Sequence, residues 1–126
     1  MPEDVTVADA MHRGLITCPP DAGVAELART MAEHAIHCVV VADGNGARPW
    51  AVVSDLDVMA AIARGENVPA ASLAGARVVI VSPEASLVEA ARLLAEHRVG
   101  HLVVVDPETA HPTGVISTLD VARGVA

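Results

Sequence analysis

The chain has 126 residues, 52% of them apolar, and a formal net charge of −8 at pH 7. That length suits a compact body with a sizeable core. The acidic balance and the lack of lysine argue against a basic surface for nucleic acid or anionic lipid, though they leave room for a small anion site built locally. Trp50 is the single aromatic residue, so stacking of bases or sugars on aromatic platforms is nearly excluded, and Trp50 itself reads as loop packing.

The leading segment MPEDVTVADA has neither a basic n-region nor an apolar h-region, and no stretch reaches the length of a membrane span, so a cytoplasmic location is expected. Leu15 to Cys18 forms a short apolar run, and the Pro20 that follows suits the end of an exposed strand. A helix follows, with Val24, Leu27, Ala28 and Met31 at helical spacing and Glu26, Arg29 and Glu33 on the wet face. His34 closes it, where an imidazolium suits the helix dipole and the free carbonyls. Cys38 to Ala42 is a nearly continuous apolar strand ending at Asp43 and a loop of turn-forming residues. A second strand, Ala51 to Val53, runs straight into a helix at Ser54. The stretch NVPAASLAGA, residues 67–76, then carries a short helical turn, expected to pair with one in VADAM near the N-terminus.

The pattern then recurs. Residues 79–123 match 16–60 at a shift of about 63 without a gap, with roughly 18 of about 45 positions identical. Val78 to Val81 leads to Pro83. A helix follows with Leu87, Ala90, Ala91 and Leu94 inward, Glu89, Arg92 and Glu96 outward, and His97 at its end. Strands over Leu102 to Val105 and Gly114 to Ile116 precede a helix at Ser117. Ser86 with Glu89 is expected to form a capping box, with Gly23 and Glu26 as its weaker copy. The expected fold is therefore α/β (α+β): two pseudo-symmetric β-α-β-β-α repeats, 1–66 and 67–126, with their sheets packed together and their helices outside.

Cys18 and Cys38 make no disulfide framework and match no zinc spacing, so buried reduced thiols are expected. His34, His37, Cys38 and Cys18 allow a metal or redox sensor as a minor alternative, but the second copy lacks such a cluster and no metal is expected. No nucleophile and base come together in the sequence. Catalytic residues are therefore not assigned, and an enzyme is not expected.

This order of elements, with PDAGVAEL and PEASLVEA at the first helix, HLVVVD on the middle strand and GVISTLDV at the last strand-to-helix turn, resembles the cystathionine beta-synthase (CBS) domain family. Two such domains in tandem make a Bateman module, and the resemblance runs from about Val7 to Val121, as in a stand-alone CBS pair. It implies that Gly114, Ser117, Thr118 and Asp120 mark an adenosyl-nucleotide site, with Asp120 on the ribose cis-diol, Ser117 on a phosphate and Gly114 permitting close backbone approach. A carboxylate accepts both diol protons, and a hydroxyl beside free amides at a helix N-terminus favours an anion. The same Ser and Asp also make a capping box, so Ser54/Asp57 and Ser117/Asp120 would be present if they only started helices.

In the first repeat Ala51 replaces the glycine and Asp55 replaces Thr118, adding a carboxylate that repels phosphate. Ser54 and Asp57 stay as a weaker site. By the same resemblance a cleft between the repeats presents the backbone of Thr17 and Ile80 to an adenine edge and is lined by Val99, Gly100 and His101, with Ile36, His37 and Cys38 as counterparts. His101 stands where many members carry a basic residue, so its hold on phosphate would depend on pH. Arg123 is carried as a phosphate partner, and Arg98 as a solvated surface residue. The resemblance implies a regulatory module without cofactor that binds AMP, ADP, ATP or S-adenosylmethionine, shifts an existing equilibrium, dimerises through its helices and acts on an unidentified protein. Ala-rich faces such as MAAIA and VEAARLLA permit the close helix contact that a dimer needs. The alternative is a non-catalytic dimerisation or interaction module with vestigial pockets.

Overall fold

A computed structural model describes residues 3–42, 49–74 and 76–126. In chain order the elements are α1 (Val7–Ala10), β1 (His12–Arg13), β2 (Thr17–Cys18), α2 (Val24–His34), β3 (Cys38–Ala42), β4 (Pro49–Ser54), α3 (Asp55–Arg64), α4 (Ala70–Leu73), β5 (Ala76–Arg77), β6 (Ile80–Val81), α5 (Leu87–His97), β7 (His101–Val105), β8 (Pro112–Ser117) and α6 (Thr118–Val125). The turn-forming loop after Asp43 and the side chain of Trp50 lie outside the described residues.

Contacts divide the chain into two units: Ile16–Val78, and Met1–Leu15 together with Val79–Ala126. The units thus differ from the halves 1–66 and 67–126. The N-terminal segment joins the second repeat, and the segment that links the repeats stays with the first. Each unit holds a four-stranded sheet, ordered β2-β3-β4-β5 in one and β1-β8-β7-β6 in the other. In each, the edge strand that opens the repeat runs parallel to the middle strand, and the remaining pairings are antiparallel. This is the α/β architecture of two pseudo-equivalent repeats expected from the sequence.

Helical spacing of apolar residues explains each core. Val24, Leu27 and Met31 of α2 pack with Val39, Val41, Val53 and Val58, and Leu87, Ala90 and Leu94 of α5 pack with Leu102, Val104, Ile116 and Val121. All five residues of β3 are buried, as its uninterrupted apolar run requires.

The sequence reading needs correction in several places. β2 and β6 are only two residues long, so Leu15 and Val78 lie outside them, while β4 and β8 extend beyond the expected strands. Within its own unit each helical turn packs on a longer helix, α1 on α6 and α4 on α3. Ser86 accepts from the Glu89 amide, but no reciprocal bond closes the box, because Arg92 engages the Glu89 carboxylate together with Glu96. Those carboxylates raise the pKa of Arg92, the Glu89 hydrogen bond contributing most. Gly23 caps α2 without a side-chain bond. A complete capping box forms instead at Thr6 and Asp9, ahead of α1, and the hydrogen bonds from Thr6 hold the Asp9 carboxyl below its ordinary value.

Candidate ligand site

The last strand-to-helix turn has the same construction in both repeats. In the second, Ser117 has the extended backbone of an N-cap; its Oγ accepts from the Asp120 amide at 3.2 Å, and Asp120 Oδ2 accepts from the Ser117 amide at 2.9 Å. In the first, Ser54 and Asp57 make the same two bonds at 3.2 and 2.8 Å. Both pairs therefore satisfy free amide donors at helix starts. The preceding strand is tied in as well, since Asp55 N donates to the His37 carbonyl and Thr118 N to the Gly100 carbonyl.

Beyond this common frame the repeats diverge. Asp120 is 4% exposed, whereas Asp57 is half-buried. The other oxygen of Asp120, Oδ1, lies 3.0 Å from Nε2 of His12, whose own side chain is 71% exposed. β1 brings His12 there by pairing with β8, His12 opposite Val115 and Arg13 opposite Gly114. In the first repeat Val52, the counterpart of Val115, stands opposite Ala76, which carries no side-chain donor. The register thus differs by one residue between the repeats, and Gly14, at φ +88°, follows β1. Gly114 answers to the same pairing: a Cβ there would overlap the His12 carbonyl oxygen, so the close approach that glycine permits is to the chain's own backbone.

Asp55, expected to repel phosphate in the first repeat, has Oδ2 3.0 Å from His37 Nδ1 and accepts from the Leu56 amide through Oδ1. Its charge is thus partly answered whenever His37 is protonated. His101 sits opposite Ser117 across β7 and β8, and Ile80 pairs with Val103 on the same strand as His101. Val99, Gly100, His101, Ser117, Thr118 and Asp120 therefore meet at one end of one sheet. Val99 packs partly on the core there, as does Ile36 in the other unit. Thr17 and Ile80 are exposed on edge strands, where one row of backbone groups stays outside the sheet. Thr17, Ile36, His37, Ser54 and Asp57 all belong to the unit Ile16–Val78.

A cavity of about 330 Å³ opens among α1, β1 and α6, lined by Asp9, Met11, His12, Asp120, Arg123 and Gly124 with Val5 and Ala10. Arg123 thus shares a surface with Asp120, as one turn of helix demands. Asp9, Met11 and His12 escaped the sequence reading because they precede the region where the halves align.

A family model of the CBS domain matches the chain twice, over residues 7–64 and 70–126. The chain belongs to the CBS domain family. No curated protein matches its sequence. Among solved structures it is similar to the CBS domain pair of protein MJ0100 in complex with 5'-methylthioadenosine and S-adenosyl-L-methionine, with 17% identity, a TM-score of 0.86 and coverage of 96% of this chain and 95% of that one. It is also similar to CBSX2 in complex with AMP, at 26% identity and TM-score 0.78 with 96% of each chain covered. A third is the CBS domain protein PAE2072 from Pyrobaculum aerophilum complexed with AMP, at 26% identity and TM-score 0.81, covering 92% of this chain and 89% of that one.

The thiols and histidines of this CBS pair do not gather into a metal site: among the described residues no group of three or more His, Cys, Asp or Glu is placed to hold an ion. Cys18 and Cys38 are free and buried. Burial, aided by Glu26, pushes the Cys18 thiol up to about 11, and burial, aided by Asp55, pushes Cys38 up to about 12. Both thiols are thus held in the protonated form near neutral pH. Among the described residues, no helix is long and apolar enough to cross a membrane.

Proposed function

We propose that this CBS pair is a non-catalytic regulatory module that binds an adenosine-containing ligand, AMP, ADP, ATP or S-adenosylmethionine, with its principal site at the second repeat. The observation that carries this reading is Asp120: a buried carboxylate at the start of α6, facing a cavity that also holds Arg123. Burial of an ionised side chain is expensive unless its partners repay it. A ribose cis-diol on Asp120, with a phosphate near Ser117, His101 and Arg123, uses that arrangement. The AMP bound by two relatives of 26% identity supports the same class of ligand. Ser54 and Asp57 form the lesser site, where Asp55 burdens a phosphate. Gly114, Thr118, Ile80, Val99 and Gly100 are the proposed accessory contacts of the principal site, and Thr17, Ile36 and His37 those of the lesser one.

Calorimetric titration with AMP, ATP and S-adenosylmethionine tests the proposal. Asp120→Ala should weaken binding at least tenfold, about 1.4 kcal/mol, while Asp57→Ala leaves the tighter site intact. Each variant also loses a capping bond, at about 1 kcal/mol of stability, so both must be shown to be folded at the titration temperature. Unchanged binding in folded Asp120→Ala defeats the site assignment.

A second reading, a dimerisation module with vestigial pockets, is favoured by one observation: α3 exposes Leu56, Met59 and Ile62 at 75%, 52% and 51%. Failure of all three ligands to bind, in a protein that self-associates, selects it.

A further inference from the structure

We infer that His12 competes with the ligand's diol for Asp120, so that affinity at the second repeat rises with pH; the inference rests on the reading of Asp120 as the ribose carboxylate. Asp120 has two oxygens and both are engaged, Oδ2 by the Ser117 amide at 2.9 Å and Oδ1 by His12 Nε2 at 3.0 Å. The Ser117 bond belongs to the start of α6 and stays. Oδ1 is the oxygen outside the cap, and a diol that bonds it meets the imidazole there, the carboxylate side chain being only 3% exposed. His12 is free to leave, because its side chain is 71% exposed.

Protonation sets the strength of the competitor. An imidazolium adds the attraction of opposite charges to the hydrogen bond on the carboxylate, which a neutral imidazole does not. Ligand then displaces His12 more easily as the pH rises through the interval where imidazoles titrate. The charged groups around His12 do not reverse this sign. Asp9 on α1 lines the same cavity, but its carboxylate is tied to the Thr6 amide and hydroxyl. Arg123 on α6 lines the cavity, Arg13 adjoins His12 on β1, and β8 places Val115 opposite. In the first repeat the residue opposite Val52 is Ala76, which has no imidazole to offer.

The test is calorimetric titration of AMP and of S-adenosylmethionine into wild-type protein and His12→Gln at about pH 5.5 and about pH 8.5, spanning histidine titration. Ligand phosphate changes its charge in the same interval, so the readout is the difference between the two proteins. Wild type should gain roughly tenfold more affinity than His12→Gln between the two pH values, and at the lower pH His12→Gln should bind more tightly; His12→Ala should behave like His12→Gln. Binding by His12→Gln alone also supports the competition. Equal pH profiles, or weaker binding by His12→Gln at the lower pH, overturn it while leaving the adenosyl site in place. Absence of binding by every protein overturns both.

Discussion

Gly114 is proposed as a contact of the ligand, yet in this chain its lack of a side chain is already required by the approach of the His12 carbonyl. Gly114→Ala should therefore force β1 away from β8 and lower stability by about 1–3 kcal/mol, the usual range for overpacking. Urea denaturation followed by circular dichroism measures it. A change below about 0.5 kcal/mol, the scale of an innocuous surface substitution, would mean that β1 yields easily. Because β1 also carries His12, the same substitution should loosen the contact on Asp120. Ala51 shows the contrast: with its strand in the other register, the first repeat tolerates a side chain there and buries it.

At the scale of elements, α2 and α5 end in the same costly way. Their C-caps, Ala35 at φ 53° and Arg98 at φ 52°, are left-handed, with their amides bonded to the carbonyls of Met31 and Leu94. Non-glycine residues pay roughly 1–2 kcal/mol for that conformation, so Ala35→Gly should stabilise the protein by about 1 kcal/mol and raise its thermal midpoint by a few degrees. A lowered midpoint would show that this turn is set by other contacts. These helices were legible in the sequence because a 3.6-residue apolar period over 11 residues is unambiguous. The two motif turns were legible as well, since Ser and Asp at that spacing make a cap whether or not a ligand binds. β1 and β5 were not, because two residues are too few to display alternation and both strands exist only through their partners. The His12 contact on Asp120 was hidden for that reason, and the His37 contact on Asp55 because it spans 18 positions.

On the scale of the whole molecule, the duplication has left two unequal helices at corresponding places. Leu56, Met59 and Ile62 on α3 answer to Leu119, Ala122 and Val125 on α6, and Ala60 answers to Arg123. Leu119 and Val125 are half exposed, less than Leu56 at 75%. Both helices thus offer apolar surface, but α3 offers more of it and has Ala60 where α6 has Arg123, which suits burial against a second copy of the chain better than exposure to water. Light scattering after size exclusion should find two chains per particle for the wild-type protein. Leu56→Glu should give one, because a carboxylate forced into such an interface loses hydration without gaining a partner. Leu119→Glu should weaken the dimer less, as Arg123 lies one turn along to receive the charge. A wild-type protein that runs as a single chain, or a Leu56→Glu variant that remains paired, would remove α3 from the interface and leave its apolar face to a different protein.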